Sequence, residues 1–206
     1  METALILILL GLAGYLLYLA FRKKAKVETL PQRADRDLAN LTVKDADRGD
    51  SIILSGASQS YEDLSFTVDR LNRYESDGKE WFELSGLSAG ERVYLEWYED
   101  DELEITLQRQ SKIHLETIGV SEEDLARMDE EKSQSQFIEY QRKQWYYQES
   151  AEAGYFKDDN PQGEGFYYWK FECDELQLFI EKYEGDPFEV GISEKISSSR
   201  VRVFAA

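Results

Sequence analysis

Hydrophobic and polar residues alternate through much of the chain, and one alternating stretch, residues 95–107, occurs twice. Shifted by 85 positions it matches residues 180–192, with acidic and apolar positions at equivalent places. Alternation with a period of two is typical of a β-strand that buries one face. Each copy has two such segments on either side of an acidic turn, and the second turn also contains Gly185 and Pro187. Each copy is therefore predicted to be a β-hairpin.

Two flanking segments extend the match. Residues 81–84 resemble residues 169–173, and residues 111–115 resemble residues 199–203. Three similar blocks in the same order indicate a tandem duplication. We therefore predict an all-β fold with two similar antiparallel halves, each a small sheet or a partly open barrel.

One short helix is predicted between the halves, since Ser121 can cap it and Asp124 stands at the capping-box position. The expected organisation is a first β half over residues 41–120, a linker helix over 121–135 and a second β half over 136–206. A half of this size buries little apolar area alone, so the halves are expected to pack on each other.

The N-terminal region has a different pattern. Residues 4–21 carry no charge and, as a helix, would span about 27 Å, close to the hydrocarbon thickness of a bilayer. A cleaved signal peptide is the competing interpretation, but no basic residue precedes the apolar run and no small-x-small cleavage site follows it. We predict a single transmembrane helix before the β region, within a membrane anchor over residues 1–26, and a tether over residues 27–40.

The charge distribution sets the predicted orientation and excludes one class of partner. Arg22, Lys23 and Lys24 follow the apolar run, which places the C-terminal domain in the cytoplasm, at the inner (plasma) membrane. The whole chain has a net charge of −18, and the part beyond this basic flank is more acidic still. Phosphate backbones would repel such a domain, so no nucleic-acid binding is expected.

Catalytic and metal-binding signatures are missing from the sequence. Cys173 is the only cysteine and His114 the only histidine, so one chain cannot supply a Cys/His zinc site or a disulfide framework. Residues 158–163 resemble the opening of a calcium loop, but Gln162 stands at the fifth place, where Asp or Asn is needed, and Trp169 stands where the closing Glu should be. We predict no enzymatic activity, no catalytic or metal-binding residues and no cofactor.

The repeated hairpins supply the candidate functional residues. Carboxylates perform acid–base chemistry or bind a cation only in a concave, partly desolvated setting. An antiparallel sheet with one wet face exposes carboxylates routinely, so we interpret the acidic face as solvated, with a ligand or partner surface as the alternative. The candidate residues are Glu96, Tyr98, Glu99, Asp101, Glu104, Glu181, Tyr183, Glu184, Asp186 and Glu189.

A family resemblance rests on four segments: Gly49-Asp50, residues 74–84, the hairpin 95–107 and residues 146–153. Their order is similar to that in the bacterial domain of unknown function 4178 family. The resemblance implies an all-β module with no known activity, in the company of envelope and membrane-stress genes.

Two functions are expected on these grounds. The first is a membrane-tethered, non-enzymatic interaction module that presents its acidic, tyrosine-rich surface to a basic or amphipathic protein partner in bacterial envelope or membrane-stress functions. The alternative is a binder of a polyamine or a divalent cation through the repeated carboxylates.

Overall fold

The computed structural model describes residues 36–206, apart from the side chain of Asp159. The predicted transmembrane segment, residues 4–21, lies outside the described residues, as do the rest of the anchor and most of the tether. Within residues 36–206 no helix is long and apolar enough to cross a membrane. The prediction of a transmembrane helix before the β region therefore has no support in the structure.

The described chain is mostly β-structure with one α-helix, α1, which runs from Glu122 to Glu131. The strands are β1 (Ser51–Leu54), β2 (Leu64–Thr67), β3 (Arg70–Ser76), β4 (Lys79–Ser88), β5 (Glu91–Glu99), β6 (Leu103–Ile113), β7 (Phe137–Tyr140), β8 (Lys143–Phe156), β9 (Glu164–Cys173), β10 (Leu176–Tyr183), β11 (Glu189–Lys195) and β12 (Val201–Phe204).

Eight of these strands close into one barrel. Their order is β3-β4-β5-β6-β11-β10-β9-β8, and β8 pairs with β3 to complete the ring, while β7 extends β8 outside it. The prediction of two separate β halves is therefore wrong. Each half supplies four strands, but the free edges β6 and β3 pair with β11 and β8 of the other half. Closure satisfies the hydrogen-bonding groups that open edges would leave unpaired.

The proposed duplication also fails at its third block. Residues 111–115 end β6 and leave the barrel, whereas residues 199–203 enter β12, which belongs to a different sheet. That sheet has three strands in the order β12-β1-β2. Similar local alternation in these two segments therefore serves two different structural roles.

The apolar faces of the barrel strands point outwards and are covered. Leu84, Leu95 and Leu107 lie side by side on β4, β5 and β6, are fully buried, and pack in one cluster with Ile52 and Phe66 of the three-stranded sheet. The strand β2 can approach β4 this closely because position 86 is a glycine. A Cβ atom at this position would lie 2.0 Å from the carbonyl oxygen of Thr67.

The helix α1 covers the apolar face of the other half. Leu125 and Met128 pack with Trp145, Trp169 and Phe171 in a second buried cluster. The capping box predicted from the sequence is present, with reciprocal hydrogen bonds between residues 121 and 124. Since neighbouring side chains on a strand point to opposite faces, covering the apolar faces from outside turns the polar faces towards the barrel interior.

Candidate ligand-binding site

The barrel encloses a cavity of about 390 Å³, which we call the lumen. Seven of the eight barrel strands contribute residues to its wall. Exposed residues Lys79, Glu80 and Gln134 mark the mouth of the lumen, together with Gln148 and Glu149. The mouth lies beside the junction of β3 and β8, where only residues 73–75 pair with residues 154–156.

The two repeated hairpins place one glutamate each in the lumen. Glu96 on β5 and Glu181 on β10 are equivalent in the 85-residue repeat, and both side chains line the cavity. Their strand partners differ, because the registers of the two hairpins differ by two residues. Glu96 lies opposite Thr106, whereas Glu181 lies opposite Glu189.

Both lumen carboxyls titrate near neutral pH. Burial, reinforced by repulsion from Glu83, raises the pKa of Glu96 from 4.5 to about 7. Burial also raises the pKa of Glu181 to about 8, and the charge of Glu96 contributes to this increase. Within residues 36–206, no Lys or Arg lies within ion-pair distance of either carboxylate, and Glu96 accepts no hydrogen bond.

A third carboxyl, that of Glu83, is buried beside this pair and is hydrogen-bonded. Glu83 accepts hydrogen bonds from Asn72 Nδ2 at 2.7 Å and from the Tyr74 hydroxyl at 3.4 Å. Burial nevertheless raises its pKa, because desolvation outweighs these bonds. Glu83 thus adds to the negative potential of the lumen.

The acids further along the lumen have lysine partners. Lys195 Nζ lies 3.2 Å from Glu172 and 3.6 Å from Glu104, and Lys170 Nζ lies 3.9 Å from Glu172. Although burial opposes it, the hydrogen bond from Tyr98 and the charge of Lys195 lower the pKa of Glu104. The lumen is therefore electrostatically uneven, with one neutralised region and one unneutralised region.

Aromatic side chains line the wall near the unneutralised glutamates. Trp81, Phe166, Tyr168 and Phe179 all contribute to the cavity surface. The rings of Trp81 and Tyr168 meet edge to face with centroids 5.9 Å apart. Burial is the main cause that raises the pKa of Tyr168, so its hydroxyl stays protonated as a hydrogen-bond donor at neutral pH.

The structure divides the ten candidate residues into two groups. Glu96, Tyr98, Glu104 and Glu181 line the lumen. The other six lie outside this cavity: Glu99, Asp101, Tyr183, Glu184, Asp186 and Glu189.

The outer candidates occupy distinct surroundings. Glu99 forms an ion pair of 2.7 Å with Lys44 at the surface. Tyr183 stacks on Phe166 with centroids 4.9 Å apart and lines an open groove outside the mouth, together with Glu184. Asp101, Asp186 and Glu189 are exposed. The interpretation of a solvated acidic face therefore fits the hairpin turns and does not fit the lumen glutamates.

Several lumen residues were missed at the sequence level: Trp81, Glu149, Tyr168, Lys170, Glu172, Gln177 and Phe179. One signal could have found those on β9. Carrying the 85-residue shift back through the strand preceding each hairpin aligns Glu83 with Tyr168, which occupy equivalent places beside Glu96 and Glu181. The alignment of Trp81 with Trp169 instead matched a lumen residue with one that packs under the helix.

Metal ligation has no geometric basis in the described part of the chain. Among residues 36–206, no group of three or more His, Cys, Asp or Glu side chains is arranged to hold a metal ion. The lumen instead combines separated carboxylates with aromatic faces.

Comparison with known proteins gives one match. A family model described as a domain of unknown function (DUF4178) matches residues 55–198, which include the whole barrel. No curated protein and no solved structure shows significant similarity to the chain. Since the match covers well over half of the sequence, the resemblance seen in the hairpins and their flanks is confirmed, and the chain belongs to the DUF4178 family.

Proposed function

We propose that this domain is a binding module for a small organic cation of the alkylammonium class, held in the lumen between Glu96 and Glu181. The observation that carries the proposal is the enclosure of two carboxylates at one cavity with no basic residue of the described chain paired to them. The proposal assigns the lumen a binding role and no chemical reaction.

The energetic argument rests on the cost of buried charge. Two carboxylates withdrawn from bulk water repel each other, and each would normally be paired or protonated. A bound ammonium group supplies a positive charge and donates hydrogen bonds to both carboxylates. The protein leaves this region unneutralised although it pairs lysines with Glu104 and Glu172 in the same cavity.

The aromatic wall supports an organic cation. An ammonium ion within about 6 Å of a tryptophan, tyrosine or phenylalanine ring is attracted by the ring's negative face. Trp81, Phe166 and Tyr168 line the lumen with the two glutamates. Their faces also suit the methylene groups of an alkyl chain, whereas a divalent metal, the other cation considered, needs several converging oxygen ligands.

Isothermal titration calorimetry of the full chain tests the proposal. The probes are butylamine and putrescine, with calcium and magnesium chloride as the competing cations. The matched variants are Glu96→Gln with Glu181→Gln in the lumen and Glu102→Gln with Glu123→Gln at exposed positions. We expect saturable amine binding that the lumen pair weakens at least about tenfold and the exposed pair leaves unchanged.

Two results would overturn the proposal. One is the lack of saturable binding of either amine at neutral or mildly alkaline pH. The other is equal amine affinity in the lumen variant and the unchanged protein. Saturable binding of the metal salts alone would assign the lumen to a divalent cation.

A basic protein partner is the second candidate, and the hairpin turns favour it. Asp101, Glu184 and Asp186 are exposed acids on turns that lie outside the lumen. Reversing these charges to lysine should release such a partner in a low-salt pull-down and leave amine binding in the lumen intact. Retention of every partner by the charge-reversed protein would exclude this second function.

A further inference from the structure

The six acids on the lumen wall fall into two sets. Glu80, Glu104 and Glu172 each lie within ion-pair distance of an Arg or Lys of the described chain: Arg73 lies 3.0 Å from Glu80, and Lys195 lies within 3.6 Å of the other two. The second set has no such partner among residues 36–206 and consists of Glu96, Glu149 and Glu181.

The unneutralised set occupies two places. Glu96 and Glu181 lie close enough for the charge of Glu96 to raise the pKa of Glu181. Glu149 lies on β8 at the mouth, opposite Lys170 of β9, and accepts a hydrogen bond of 3.2 Å from the Tyr168 hydroxyl. The lumen therefore has an inner anionic position and a separate one at its entrance.

The sheet register sets the separation of the two positions. Glu181 lies opposite Tyr168 of β9, and Glu149 lies one strand further on, opposite the residue two places along β9. Two strand spacings of about 10 Å in all, combined with an offset of about 7 Å along the strand, separate their backbones by about 12 Å. Glutamate side chains that reach inwards leave a gap that a short methylene chain between two ammonium groups can span.

The wall between the two positions suits such a chain. Tyr168 is next to both positions. Its backbone pairs with that of Glu181 across the strands, and its hydroxyl donates a hydrogen bond to Glu149. Phe166 and Trp81 line the same cavity. A methylene chain on these rings buries apolar surface.

From this arrangement we propose that the ligand is a linear aliphatic diamine or polyamine, with one ammonium between Glu96 and Glu181 and a second at Glu149. The inference rests on the proposed function and adds the number and spacing of the charges. Glu149 is the specificity-determining residue, because it distinguishes a diamine from a monoamine with the same chain.

Matched ligand pairs provide the test. Calorimetry on the full chain compares putrescine with butylamine and cadaverine with pentylamine, so that each pair differs only by the second amino group. We expect each diamine to bind at least about tenfold more tightly than its monoamine. Glu149→Gln should remove most of this advantage and weaken the diamine much more than the monoamine. Glu139→Gln, at an exposed position of β7, is the matched control and should keep the advantage.

The outcomes distinguish a failure of the second ammonium position from a failure of amine binding itself. Equal affinity of monoamine and diamine would overturn the second position while leaving amine binding intact. A Glu149→Gln variant that keeps the diamine advantage, or that weakens both ligands alike, would overturn the assignment to Glu149. If neither ligand class binds, the proposed function itself fails.

Discussion

Glu96 and Glu181 occupy equivalent positions in two repeated hairpins, both face the lumen of one barrel, and the charge of the first raises the pKa of the second. The shared lumen and the effect on the pKa would not exist if each hairpin belonged to its own sheet. Closure of the barrel thus brings two equivalent carboxyls of the sequence repeat into one cavity. The consequences of this pairing can be measured without knowledge of the ligand.

The free protein should lose stability as the pH rises from mildly acidic to alkaline values. The pKa values of Glu96 and Glu181 are raised in the folded state to about 7 and about 8, above the ordinary value of 4.5. Between these limits the folded state holds more protons than the unfolded state, so the free energy of unfolding falls with pH. We expect the free energy of unfolding, measured by urea unfolding, to decrease by on the order of a few kcal/mol across this pH range.

Variants identify the groups responsible for this slope. The pair faces Glu83 from β4, Glu189 from β11 and Lys170 from β9. Changing Glu96 and Glu181 together to glutamine should flatten most of the slope, and Glu83, whose pKa is also raised, accounts for a residual decrease. The exposed pair Glu102→Gln with Glu123→Gln should retain it, and a slope that survives in the lumen variant would show that other groups cause it.

Binding of an ammonium ligand should show the opposite dependence on pH. The ligand needs ionised carboxylates, and the lumen glutamates hold protons below about pH 7 and about pH 8. Affinity should therefore rise with pH, by about tenfold per pH unit below the pKa for each carboxyl that must ionise. Calorimetry at one pH in buffers of different ionisation enthalpy should show proton release from the protein. Affinity that is constant from mildly acidic to mildly alkaline pH would contradict the assignment.

The sequence predicted the secondary structure well where a local pattern of apolar and polar residues determines it. The hairpins around residues 95–107 and 180–192 form, and the helix begins at Glu122 behind its Ser121 cap. Alternation placed Glu96 and Glu181 each on the polar face of its own hairpin. It could not show whether that face meets solvent or a lumen, because an alternating strand has the same pattern in an open sheet and in a closed barrel.

Barrel closure depends on pairings that no local pattern contains. Hydrogen bonds between β6 and β11 and between β3 and β8 join segments far apart in sequence. The polar faces of the strands can point inwards because the three-stranded sheet and α1 cover the apolar outer faces of the barrel. The position of Glu149 at the mouth follows from the bulged β8–β9 register, which is likewise non-local.

The helix should be fixed to the barrel through Asp129. Its Oδ1 accepts hydrogen bonds from Ser150 Oγ at 2.5 Å and from the Tyr167 hydroxyl at 2.6 Å, and these bonds outweigh burial and lower its pKa. Asp129→Ala leaves both hydroxyls without this acceptor, so we expect a loss on the order of 1–3 kcal/mol in urea unfolding. Glu130→Ala, exposed on the same helix, is the control and should change stability little. Equal stability of the two variants would show that the hydrogen bonds to Asp129 do not hold the helix.

The shape of the lumen should depend on Gly191 without any change in charge. Gly191 on β11 lies opposite Phe179 of β10, and a Cβ atom at this glycine would lie 2.0 Å from Cζ of the phenylalanine ring. A valine at position 191 therefore has to displace the ring, which already lines the cavity. We expect Gly191→Val to weaken amine binding at least about tenfold with the secondary structure retained in far-ultraviolet circular dichroism.

Two further variants make this steric prediction specific. Gly165→Val places the same side chain on β9, where no atom lies within 4 Å of the added Cβ, and should leave binding unchanged. Phe179→Ala combined with Gly191→Val removes the displaced ring and should restore binding if the ring had filled the lumen. Weak binding that persists in this double variant, with a normal thermal transition, would mean that Gly191 acts through the geometry of β11 and not through the cavity.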